Sequence, residues 1–261
     1  MTRTLKLLPV LFLAALVLLA FASSSASAEG PAVEAVRVYD DGLLTGRAYR
    51  SDEEIYLSAE ELCTALDRPC GTLIDPSLGR VTLSAPGLEL SAQRGQDYVV
   101  ANGRYLYSTA HFIQVGGRVY FPLSVLEQIF SLEAEVSEDR SRVELDVSGA
   151  SFLDGGEDYY PETYGSDELL WLSRIISAEA GDQPMAERIS VGNVVLNRVA
   201  SGSYPDTIRE VVLDRQQSPL AGAAEESYLE PADAQSVVAA CLCLEGCNLA
   251  GDSVVFESAG D

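Results

Sequence analysis

The sequence predicts an α+β chain. A small strand-rich part spans residues 38–148, a linker runs over 149–165, and a mainly helical part spans 166–261. Three observations carry this. Residues 38–148 hold strand-like runs that recur as an internal repeat. Residues 166–200 show apolar positions at helical spacing in two consecutive blocks. Between them GASFLDGGEDYYPETYG is acidic, Gly-rich and without either periodicity.

Residues 1–28 read as a secretory signal: Arg3 and Lys6 form a basic start, Leu7–Phe21 is apolar, and Ala26-Ser27-Ala28 is a small-residue cleavage site. The alternative is an uncleaved anchor, but the apolar run falls short of the roughly 20 residues a span needs. The expected mature N-terminus is Glu29, and the expected location is secreted, at the cell wall. Without Arg3 and Lys6, 15 of the 17 basic residues remain against 40 acids, a formal charge of −25. Such a chain repels nucleic acid and anionic lipid, so the sequence excludes nucleic-acid partners and limits membrane contact to the signal segment during export.

In the repeat, IYLSAEELCTAL followed by LGRVTL is echoed by VYFPLSVLEQIF followed by RSRVEL. Tyr56, Leu57, Leu62 and Leu66 correspond to Tyr120, Phe121, Leu126 and Phe130. Arg80, Val81 and Leu83 correspond to Arg142, Val143 and Leu145. Each unit reads as strand, short helix, strand. The first copy is two residues longer, around Cys63 and Cys70. Those two cysteines lie within one segment and are candidates for a disulfide in an oxidising compartment, or else two buried thiols. Cys241, Cys243 and Cys247 have a C-x-C-x3-C spacing open to metal binding, but they lie on different faces of a helix and its exit with no histidine near, and read as small apolar core residues.

The helical part opens with SDELLWLSRIISAEAG. Ser166 or Asp167 serves as N-cap, acids fill the first turn and Gly181 supplies a stop. Leu172, Ile175 and Ile176 form an apolar stripe, and Glu179 falls on the same stripe. A carboxyl on an apolar face is costly unless paired or protonated, which is the condition a general acid needs. The next helix starts after Gln183, with Pro184 in its first turn. Its apolar residues wrap most of the circumference, which indicates a buried central helix. Ser190, Asn193 and Asn197 make one polar stripe. These asparagines either bond to neighbouring elements or line the cleft that receives Glu179.

Thr207 to Glu210 fits a capping box opening a short helix through Leu213. Residues 214–230 read as a loop, Pro231 to about Leu244 as a helix, and Ser253–Phe256 as a strand.

The run WLSRIISAEAG…P…ISVGNVVLNRV, then SYPDTIREVV, RQQSP and LEGCNLAGDSVVF, resembles the SleB-type cell wall hydrolases, the family of the spore cortex-lytic enzymes. The resemblance implies a lysozyme-like α+β fold that cleaves the glycan of peptidoglycan, with one glutamate at the position of Glu179. It also implies a sugar-orienting loop at Gln216, Ser218 and Pro219, with Gln217 in place of the usual aromatic. The family pattern continues past Phe256 with an Asn-Pro turn and a further strand that do not follow here. Residues 102–126, NGRYLYSTAHFIQVGGRVYFPLSVL, resemble the N-terminal domain of copper amine oxidases. That implies a stalk or wall-binding module without copper chemistry, and points to vegetative wall over spore cortex.

The single histidine, His111, lies in the repeat. A Ser-His-Asp triad, a Cys-His pair or a His-ligated zinc is therefore excluded from the helical part, which leaves carboxylates and no cofactor. Glycosidases ordinarily use two carboxyls. Asp182 lies past the helix end, and Glu187 and Glu210 sit on solvated faces, so Glu179 stands alone. One acid suffices for a lytic transglycosylase, which this shortage of carboxyls together with the family resemblance favours over a muramidase-type hydrolysis. The competing expectation is a non-catalytic wall-binding or scaffold protein with an incomplete hydrolase domain.

Overall fold

The computed structural model describes residues 34–40, 43–156, 167–214 and 230–255. Among these, sheets occupy the N-terminal region and helices the C-terminal region, so the chain is α+β. Two hydrophobic cores follow the same division. Both belong to one compact unit.

The first core lies between two sheets. The seven-stranded sheet has the order β11 (Glu133–Val136), β12 (Arg142–Asp146), β1 (Glu34–Asp40), β2 (Leu43–Ser51), β3 (Glu54–Leu57), β10 (Arg118–Pro122), β9 (Ile113–Val115). Among the described residues of this sheet only β1 and β12 pair in parallel. The five-stranded sheet is an antiparallel meander of β4 (Gly71–Asp75), β5 (Arg80–Ala85), β6 (Leu88–Gln93), β7 (Tyr98–Ala101) and β8 (Arg104–Tyr107). Alternation drives this packing: in β5 and β6, Val81, Leu83, Leu88, Leu90 and Ala92 point inward while the residues between them face out. Helices α1 (Ala59–Ala65) and α2 (Leu123–Phe130) add Leu62, Leu126, Ile129 and Phe130 to the same core. The echoed segments take matching elements. β3 leads into α1 and β10 into α2, and β3 and β10 lie side by side with Leu57 opposite Phe121. Their partner strands β5 and β12 lie in different sheets.

Residues 149–156 carry no helix or strand and pack back on this core, with Leu153 N–H donating to the Ile129 carbonyl at 2.8 Å. The expected linker tyrosines, Tyr159, Tyr160 and Tyr164, lie outside the described residues, as do the expected signal segment and Gln216, Gln217, Ser218 and Pro219.

The second core joins α3 (Asp167–Ala180), α4 (Met185–Ala200), α5 (Ile208–Leu213) and α6 (Ala234–Leu244). The stripe Leu172, Ile175 and Ile176 is fully buried, as its spacing predicts. Thr207 caps α5, accepting from Glu210 N–H at 3.2 Å and donating its hydroxyl to the Glu210 carboxylate at 2.9 Å.

The first core reaches the second through the β7–β8 hairpin. Its two-residue loop, Asn102-Gly103, has φ of 50° and 81°. This left-handed pair is what a tight hairpin in a right-twisted sheet requires. The hairpin presents Tyr98, Tyr105 and Tyr107 to the helical core, and Arg104 pairs with Glu245 at 2.6 Å just beyond α6.

Two sequence expectations differ from the structure. The last helix starts at Ala234, not at Pro231, because Asp233 is its N-cap and accepts from the N–H groups of Gln235 and Ser236. Residues 253–255 form no strand: the Ser253 and Val254 carbonyls are taken by α4 side chains and the Val255 carbonyl by the Ser253 hydroxyl, which leaves no ladder to join.

Candidate active site

Glu179 sits in the last full turn of α3, half-buried, continuing the apolar stripe toward the turn into α4. Gly181 ends the helix in a tight place, since a Cβ there would stand 2.4 Å from the Ser177 carbonyl oxygen and 3.7 Å from Asp233 Oδ2. Sequence reasoning anticipated the stop but not the neighbour.

The polar stripe of α4 faces the segment after α6. Asn193, 3% exposed, donates to the Cys247 carbonyl at 2.7 Å and accepts from Leu249 N–H at 2.8 Å. Asn197 donates to the carbonyls of Gly251 and Ser253 at 2.7 and 2.8 Å. Arg198 follows with a bond from Nε to the Val254 carbonyl at 2.9 Å. Ser190 instead returns its hydroxyl to the Ala186 carbonyl of its own helix, at 2.9 Å. The asparagines thus organise residues 247–253 along one side of α4. Glu187 and Glu210 are exposed, on solvated faces, and Asp182 is exposed beyond the end of α3.

At the end of the helices where α3 turns into α4 lies a charged cluster that sequence reasoning missed. Arg188 is 7% exposed. Its Nη1 donates to both Asp233 oxygens at 2.9 Å and to Ser236 Oγ, its Nε to the Gln183 carbonyl at 2.9 Å, and its Nη2 to the Gly181 carbonyl. Asp233 also accepts from the hydroxyls of Ser177 at 3.1 Å and Ser236 at 2.7 Å. Burial pushes the Asp233 carboxyl up. The bonds from Ser236, Arg188 and Ser177 outweigh it and hold the group well below the usual carboxylate range. Two signals were there to be read. Arg188 interrupts the buried series Met185, Ile189, Gly192, and Asp233 precedes the last apolar run as an N-cap does.

Cys241 and Cys243 are buried in α6, where burial pushes the Cys241 thiol up to about 11 and holds the Cys243 thiol well above its ordinary range. Cys63 and Cys70 stand side by side as thiols in the first core. Burial first, and the Cys70 thiol beside it second, push Cys63 up to about 12. No group of three or more His, Cys, Asp or Glu side chains placed to hold a metal ion occurs among the described residues.

Residues 182–259 match the family model of the cell wall hydrolases, and residues 43–145 match that of the copper amine oxidase N-terminal domain. The first match begins three residues after Glu179, so it takes in α4, α5 and α6 and leaves α3 outside. No curated protein and no solved structure matches the chain significantly. The hydrolase match supports cell-wall lysis in general, with peptidoglycan as substrate, and suggests an extracellular or cell-wall location. No described helix is long and apolar enough to cross a membrane.

Proposed function

Proceeding from the cell wall hydrolase match over residues 182–259, we propose that the chain cleaves the glycan strands of peptidoglycan with Glu179 as general acid and base. The observation that carries this reading is the placement of Glu179: half-buried, on the last turn of α3, at the end of a fully buried apolar stripe. There the helix dipole favours a neutral carboxyl over an anionic one. The protonated carboxyl donates to the leaving glycosidic oxygen as the C1–O4 bond breaks. The muramic acid C6 hydroxyl then closes on C1 and gives its proton back to Glu179, so no water enters and a 1,6-anhydro product forms. This lytic transglycosylation needs one carboxyl, which agrees with the solvated placement of Glu187 and Glu210. A muramidase-type hydrolysis would need a second carboxyl or a positioned water.

In this reading the helical part, residues 166–261, is a lysozyme-like catalytic domain. Asn193 and Asn197 shape its substrate side through the 247–253 segment they hold, and Gln216 and Ser218, earlier in the chain than α6, contribute to sugar binding. Residues 38–148, with their two similar halves, serve as a stalk that spaces or binds the enzyme at the vegetative wall after export and removal of residues 1–28. Glu179→Gln keeps shape and polarity but delivers no proton, so activity on purified peptidoglycan is expected to fall by about 10²–10⁴. Product mass separates the two chemistries, because hydrolysis leaves reducing ends heavier by one water. A folded Glu179→Gln protein with parental activity would falsify the assignment, whereas a folded parent without activity on peptidoglycan would leave the non-catalytic scaffold as the reading.

A further inference from the structure

We infer that Arg188 and Asp233 are positioning residues that hold the Glu179 turn in register with α6. The inference rests on the reading of Glu179 as the acid.

Two ties flank Glu179, each two residues away. On the N-terminal side, Ser177 Oγ donates to Asp233 Oδ2 at 3.1 Å and accepts from Asp233 N–H at 3.2 Å. On the C-terminal side, the Gly181 carbonyl accepts from Arg188 Nη2. The Arg188–Asp233 pair closes the circuit between them, and the Arg188 bond to the Gln183 carbonyl extends it into the α3–α4 turn. Asp233 is in turn fixed by its cap bonds to Gln235 and Ser236, so the reference frame is the rigid start of α6. A helix end ordinarily frays because its last carbonyls lack partners. Here a buried guanidinium takes the carbonyl of Gly181, the residue directly after α3, and the turn bearing Glu179 is pinned on both sides. Arg188 and Asp233 neutralise one another, so the clamp brings no net charge beside the acid. Neither residue needs to touch substrate. Proton delivery depends on placement, and a shift of about 1 Å in a catalytic group costs on the order of 10²-fold.

The test uses the full chain on purified peptidoglycan strands, with kcat and KM measured separately at a temperature where every variant is folded. Asp233→Asn keeps a capping side chain but removes the ion pair; Arg188→Lys keeps the charge but loses the fork; Ser177→Ala removes one tie only. Leu242→Ala, in the same core but outside the network, controls for lost stability. We expect kcat to fall at least 10-fold in the first two and about 3-fold in Ser177→Ala, with KM within about 3-fold, while Leu242→Ala keeps kcat. If Glu179→Gln is inactive but folded Ser177→Ala and Asp233→Asn retain kcat within 2-fold, the clamp is merely structural and the inference falls while the acid stands. An equal kcat loss in Leu242→Ala overturns it as well. Should Asp233→Asn fail to fold, Ser177→Ala decides alone. Full activity of Glu179→Gln removes both the acid and the clamp.

Discussion

Gly192 of α4 approaches Cys243 of α6 so closely that a Cβ on the glycine would stand 2.6 Å from the cysteine Sγ and 2.9 Å from Ile176 Cδ1. Three helices thus meet at one glycine, with the Cys243 thiol bonded to the Ile189 carbonyl at 3.4 Å. In an exposed helix Gly→Ala gains about 1 kcal/mol. Here overpacking reverses the sign, and Gly192→Ala is expected to lose about 1–3 kcal/mol in chemical denaturation. Adding Cys243→Ala should recover part of the loss. A single variant as stable as the parent would mean that α4 and α6 can separate freely.

Asp233 makes acid stability specific. Its folded carboxyl lies below the unfolded value of about 3.9, so its contribution is complete above that value and disappears as pH falls through the folded one. With its side chain 39% exposed, the contribution is discounted to about 1–2 kcal/mol at neutral pH. Asp233→Asn is expected to melt lower than the parent at pH 7 and to converge on it toward pH 2. Melting curves that stay parallel from pH 7 to 2 would show that Asp233 titrates alike in both states.

Cys63 and Cys70 offer a direct count. The raised Cys63 thiol leaves little thiolate at neutral pH, which slows any bridging route in which Cys63 is the attacking group. In protein recovered from an oxidising compartment and denatured without reductant, three of the five cysteines should react as thiols. Reduction of the bridge should then cost on the order of 2–3 kcal/mol. Five reactive thiols would leave the pair as the packed thiols described above.

The sequence by itself determined what depends on near neighbours in the chain. The α3 stripe through Ile176, the stop at Gly181, the Thr207 cap and the alternation in β5 and β6 are all periodicities or local bonds, and all were legible. So was the position of Glu179 on an apolar face, because helical spacing alone puts it there. The tertiary structure decided what depends on partners far away. Asn193 and Asn197 looked like either cleft lining or inter-element bonds, and only the folded chain shows their amides on residues 247–253. Ser253–Val255 carries strand-forming residues, but backbone groups follow the nearest available partner, and here that is α4 rather than a ladder. Arg188 could not be paired with Asp233 from spacing, since 45 residues separate them. A buried charge finds its counter-charge through space, and the chain must close before the two can meet.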